Sequence, residues 1–116
     1  MSILETLAGS AFWESDADIF VHACVESDIS LNNQTSDFLR WKHIGGMESP
    51  HVSGKRVICG HTSQTDGVPI VFDGWACIDT YPHGGKWLTC LNVETDHVQI
   101  THSLTMKTAL TIVCSC

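Results

Sequence analysis

RVICGHT, residues 56–62, sets a short apolar run directly against a glycine and a histidine. Four residues of this kind read as a short strand. A histidine just past a strand end is held rigidly while opening onto a loop. Gly60 beside it lets backbone or a ligand approach closely. The chain repeats the arrangement upstream, where IFVHA, residues 19–23, carries His22 near the end of another compact apolar run. Imidazole is a common ligand for zinc, iron and manganese-type ions, which makes His22 and His61 candidate metal ligands.

Working outward from these two runs, residues 24–33 are polar and loop-like. Thr35 or Ser36 is placed to cap a short helix running through Phe38, Leu39 and Trp41. Gly45, Gly46 and Pro50 mark a loop, and TSQTDGVP, residues 62–69, reads as a turn. Trp75–Thr80 and Trp87–Val93 read as further strands separated by YPHGGK, with Val98–Thr101 as the last. Residues 3–13 read as a short helix interrupted by Gly9. The tail, 102–116, ends in the apolar run ALTIV and is left unassigned, so that 1–101 forms the domain. Strands dominate, and most connections are short for βαβ crossovers. The expected fold is a β-rich α/β domain built on a largely antiparallel or mixed sheet.

The 116 residues allow one small domain. With 13 acidic and 6 basic residues the net charge is −7, which argues against nucleic-acid binding through a basic surface. No basic run suggests a membrane surface, and no stretch approaches the roughly 20 apolar residues of a membrane span. The opening residues lack the basic start and apolar stretch of a signal peptide, which points to a cytoplasmic protein. The six cysteines form no CxxC. They read as small buried hydrophobes, with thiols kept reduced in the cytosol.

Five motifs in order, spanning about residues 12 to 100, carry a resemblance. They are Val21-His22-Ala23; Gln34 followed by Leu39 and Trp41; Gly60-His61-Thr62; Ile78-Asp79-Thr80; and Trp87-Leu88-Thr89-Cys90-Leu91. This order is similar to the C-terminal half of bacterial serine/threonine protein phosphatases, members of the calcineurin-like metallophosphoesterases. The resemblance implies half of a four-layer α/β/β/α fold, mostly one mixed sheet with one or two short helices. It implies that His22 and His61 bind the same ion of a two-metal centre, with manganese first and iron or zinc as alternatives. One nitrogen of each should then lie within roughly 3–4 Å of the other, given metal–nitrogen distances of about 2.0–2.2 Å. The implied substrate is a phosphoprotein or a small phosphomonoester.

The family's DxH, GDxxDRG and GNHE motifs are not found in this sequence. They supply the remaining ligands, a phosphate-binding arginine and the histidine that protonates the leaving group, so no catalytic residue is assigned. Met1 falls about where the second half of such an enzyme would begin. The expectation is therefore an incomplete, inactive half that needs a missing N-terminal half as its partner. Its strands would expose apolar side chains and favour self-association.

Two positions depart from the pattern. Cys24 replaces a glycine, which would crowd the site or demand a conformation glycine adopts more easily. His43 stands where an arginine often contributes to phosphate binding, a weaker and pH-dependent anion contact, with Arg40 or Lys42 as substitutes. His51 is a second candidate for the phosphate. Asp79 is expected to be structural, accepting backbone hydrogen bonds. His83 is expected to be solvated, and Lys55 with Arg56 to be either an electropositive rim or a solvated pair. The tryptophans are expected in the core or an interface. Two other functions fit the same residues: a non-catalytic, partner-binding remnant, and part of a dinucleoside tetraphosphate hydrolase.

Overall fold

The run around Ile19 is buried on both sides because it forms the inner part of a sheet covered on both faces. The computed structural model describes residues 11–81, 84–86, 88–101 and 112–114. Strands β1 (Phe12–Glu14), β2 (Asp18–Val21), β3 (Arg56–Cys59), β4 (Ile70–Phe72) and β5 (Trp75–Cys77) form a five-stranded sheet in the order β1-β2-β3-β5-β4. The three central strands are parallel, with Phe20 opposite Ile58 and Ile58 opposite Ala76. The two outer strands run antiparallel to their neighbours. The sheet is therefore mixed, and the domain is β-rich with few helices.

Alternation along the parallel strands sends side chains to opposite faces. Ile19, Val21, Val57, Cys59, Trp75 and Cys77 join one cluster, closed over by Val25, Leu31, Leu39 and Ile44. Phe20, Ile58, Ala76 and Ile78 join a second, closed by Leu91 with Val93 against it. Leu91 belongs to a second sheet, in the order β7-β6-β8, made of β6 (Leu88–Asn92), β7 (Val98–Thr101) and β8 (Ile112–Cys114). The expectation that the apolar strands would stand exposed is thus corrected. Ile19 and Val57 are fully buried, as is Phe20 to within 1% of its surface, because the chain folds its own second sheet and loops over them.

Further readings change. Phe12–Glu14 is a strand where a helix was expected, because it pairs with β2; residues 3–10 of that expected helix lie outside the described residues. Among the described residues the strands form two sheets rather than mostly one, and the tail contributes β8 through its pairing with β6. Ile70–Phe72, unassigned from sequence, forms a hairpin with β5 across Asp73-Gly74, with Gly74 at φ 78°. Cys24, Cys59 and Cys77 are buried and free, as expected, whereas Cys90 is disulfide-bonded.

Two features fix the ends of the central strands. Thr35 caps the short helix α1 (Ser36–Arg40), its hydroxyl accepting from the Phe38 N–H at 3.4 Å. The helix is then tied to the end of β2 by the Ala23 N–H, which donates to the Leu39 carbonyl at 3.0 Å. At the other end of the sheet, Arg56 Nε donates to Asp18 Oδ1 at 2.7 Å, while its other nitrogens reach Asp96 at 2.6 Å and the Val93 carbonyl at 3.3 Å. That arginine bolts the five-stranded sheet to the turn between β6 and β7. Lys55 pairs with Glu14 at 2.9 Å, so neither basic residue forms a free electropositive rim.

Candidate functional site

Parallel pairing carries β2 and β3 in one direction, so the residues that follow them emerge on the same rim. His22 comes directly after β2, and His61 two residues after the last residue of β3. The Gly60 N–H donates to the His22 carbonyl at 2.8 Å, extending the pairing past the strand ends. An added Cβ at position 60 would sit 3.5 Å from the same oxygen, an ordinary van der Waals contact. His61 itself adopts φ 63°, a left-handed conformation uncommon for a residue with a side chain.

This backbone brings His22 Nε2 to 3.2 Å from His61 Nδ1, within the range set out for two ligands of one ion. The proton positions follow from the surroundings. A carbonyl can only accept, so His61 Nε2, 3.0 Å from the Trp41 carbonyl, carries the hydrogen. In neutral His61 the Nδ1 lone pair is then free to accept, and His22 Nε2–H donates to it. Anchoring one ring nitrogen to a backbone carbonyl while the other faces outward is the arrangement that orients metal-binding histidines. The Trp41 carbonyl carries no signal in a sequence, and its role emerges only from the fold.

The two nitrogens fit one cation. Separated by 3.2 Å and each at about 2.1 Å from an ion, they would subtend roughly 100°, between octahedral and tetrahedral angles. Binding would require His22 to carry its hydrogen on Nδ1 instead. The electrostatics favour neutral imidazole. Desolvation lowers the His22 pKa below its ordinary 6.5, His61 lowers it further, and Asp79 acts in the opposite direction. Among the described residues, no group of three or more histidine, cysteine, aspartate or glutamate side chains is placed to hold a metal ion. The pair offers two candidate ligands and no more.

His43 is exposed and lies against His61, the ring centroids 4.4 Å apart. It joins the pair from the loop after α1. That loop is held by the Ile44 N–H, which donates to Thr62 Oγ1 at 2.8 Å, a contact the sequence reading missed. His51 is elsewhere and does other work. It is buried, with Nε2 2.7 Å from the Ile29 carbonyl and Nδ1 2.8 Å from Ser53 Oγ. Both nitrogens are engaged in tying two loops together, which corrects its reading as a phosphate contact.

Cys24 does not crowd the rim. Its side chain is buried in the first core cluster, where desolvation pushes its pKa up to about 11, and its backbone has no positive φ. Gln34 knits the polar loop, donating to the carbonyls of Glu26 and Ile29 and accepting from the Glu26 N–H. Asp79 is buried and accepts from the Tyr81 N–H at 3.1 Å, the structural part expected of it. Arg40 lies close enough to His22 to lower its pKa slightly, and Lys42 sits 5.9 Å from the Phe38 ring centroid. Trp75 is core, Trp41 is 66% exposed beside His61, and His83 and Trp87 lie outside the described residues. No helix among the described residues is long and apolar enough to cross a membrane. Comparison with protein-family models, with curated proteins and with solved structures finds no match to this chain.

Proposed function

We propose that this chain is the C-terminal half of a metal-dependent phosphoester hydrolase of the calcineurin-like type, with His22 and His61 holding one cation of a two-cation centre. The observation that supports this reading most is the facing pair of ring nitrogens at 3.2 Å, on the rim where two parallel strands of the mixed sheet end, with His61 oriented by a backbone carbonyl. In this reading the two sheets are this half's share of a four-layer fold. When bound, a divalent ion such as manganese, iron or zinc supplies Lewis acidity toward a phosphoryl oxygen and lowers the pKa of a bound water. His22 and His61 contribute neutral lone pairs, which hold a cation without cancelling its charge. His43 lies where its imidazole can meet an anion beside the pair. The remaining ligands, including any bridging carboxylate, come from an N-terminal half that carries the missing motifs. The substrate class is a phosphoprotein or small phosphomonoester.

A second reading, a non-catalytic remnant, draws support from one observation: both faces of the five-stranded sheet are already covered by this chain. Calorimetric titration with Mn²⁺ and Zn²⁺ separates the two. The hydrolase reading expects binding that is weak in the isolated chain and lost in both His22→Ala and His61→Ala. It also expects hydrolysis of p-nitrophenyl phosphate once the chain is combined with an upstream half. Metal binding that survives both substitutions would refute it.

A further inference from the structure

Directly behind the histidine rim, β3 and β5 end on cysteines. Cys59 and Cys77 are register partners across the parallel ladder, both buried and both free. Adjacent strands lie about 4.8 Å apart, inside the Cα separation of roughly 4.4–6.8 Å that a disulfide can span. The Cys77 thiol also grips the turn that presents His61. Cys59 is joined to it through Gly60. Cys77 Sγ donates toward the Thr62 carbonyl at 3.3 Å and lies 3.7 Å from the Gly60 carbonyl, one on each side of His61.

We infer that Cys59 and Cys77 form an oxidisable dithiol whose closure to a disulfide by a peroxide reshapes the turn carrying His61. One thiol, losing its proton, attacks a peroxide oxygen; the O–O bond breaks, water leaves and a sulfenic acid forms. The second thiol attacks that sulfur, the S–O bond breaks and a second water leaves. Two S–H bonds are replaced by one S–S bond. Each sulfur loses one electron to the peroxide, whose two oxygens are reduced to water. A disulfide carries no S–H, so the carbonyls of Gly60 and Thr62 lose the donor they share. His61 sits between them in a left-handed conformation that persists only while its surroundings hold it. A bond between directly paired strand positions is also confined by the ladder, and such constrained disulfides tend to be the reducible ones.

Access to the buried sulfurs requires local opening at the strand ends, so the reaction is slow rather than instantaneous. Cys24 lies in the same core cluster and is the competing partner. The test treats the intact protein with hydrogen peroxide, blocks remaining thiols with iodoacetamide, cleaves at Phe72 with chymotrypsin, and maps the peptides by mass spectrometry. The expected product is a Cys59–Cys77 cross-link that dithiothreitol reverses and that still forms in Cys24→Ser. In metal-free buffer, the ring proton signals of His61 should shift on oxidation and return on reduction. Recovery of Cys59 and Cys77 only as separate alkylated or over-oxidised peptides would overturn the inference, as would a Cys24 cross-link. A cross-link that leaves the His61 signals unmoved would overturn its coupling to the site. None of these readouts depends on metal binding, so they stand apart from the hydrolase reading.

Discussion

Removing the Asp18 carboxylate should destabilise the protein far more than removing Asp96, although both bind the same arginine. Asp18 has a side chain 6% exposed and Asp96 one 69% exposed, while Arg56 itself is 28% exposed. Losing one partner of a buried ion pair costs about 3–5 kcal/mol, because the other charge is left unpaired away from water. Arg56 keeps some solvent, Asp96 and the Val93 carbonyl, so Asp18→Ala should fall below that range, at about 2 kcal/mol, near the value of a single charged hydrogen bond. Asp96 sits at φ 61°, so the matched change there is Asp96→Asn, which suits that backbone and should cost at most about 1 kcal/mol, as exposed ion pairs do. For a domain of this size each kcal/mol lowers Tm by roughly 4–8 °C, giving a fall of about 8–16 °C for Asp18→Ala and a few degrees for Asp96→Asn. Thermal melts followed by circular dichroism, with urea titrations for ΔG, measure both. The double variant Asp18→Ala with Arg56→Met should be less impaired than Asp18→Ala alone, since no unpaired guanidinium remains. Equal losses for the two aspartates would refute the argument that burial sets the difference.

Three more outcomes are open to measurement. Because the His22 pKa is depressed in the folded state, the unfolded chain binds that proton more readily. This contribution to stability is present above pH 6.5 and is lost as pH falls through the lower folded value. Urea titrations between pH 7.5 and 5 should show His22→Asn flattening that part of the slope. Gly74→Ala places a Cβ 3.0 Å from Pro50 Cβ and 3.1 Å from its Cα at φ 78°, and should cost about 1–3 kcal/mol; a neutral result in a chemical melt would contradict the hairpin geometry. The isolated chain with added manganese should not hydrolyse p-nitrophenyl phosphate, and turnover abolished by His61→Ala would show that it carries a complete centre.

What could be read from the sequence was mostly what neighbouring residues decide. Ile19–Val21 and Arg56–Cys59 announce themselves by continuous apolarity, and Thr35 announces the helix by its hydroxyl. The pairing of His22 with His61 was legible through motifs flanking two strand ends. The β4–β5 hairpin also had a local signal, Asp73-Gly74 between apolar runs, which went unused because Ile70–Phe72 is so short. Other features had no local signal. Covering Phe20 and Ile58 with Leu91 depends on contacts more than thirty residues apart in the chain. His51 could not be told from an anion contact, because its partner is the backbone carbonyl of Ile29, which any residue would supply.

The left-handed backbone at His61 sets two demands on one position that few residues meet together. Its φ of 63° suits glycine, and after it asparagine and aspartate, while the meeting with His22 needs an imidazole. A saturation library scored separately for folding and for metal retention should therefore rank position 61 in two different orders. Glycine and asparagine would lead the first and fail the second; β-branched residues would fail both. At His22, whose backbone carries no such demand, the folding score should be nearly flat, so the contrast between the two histidines would separate conformational from chemical selection within a single pair.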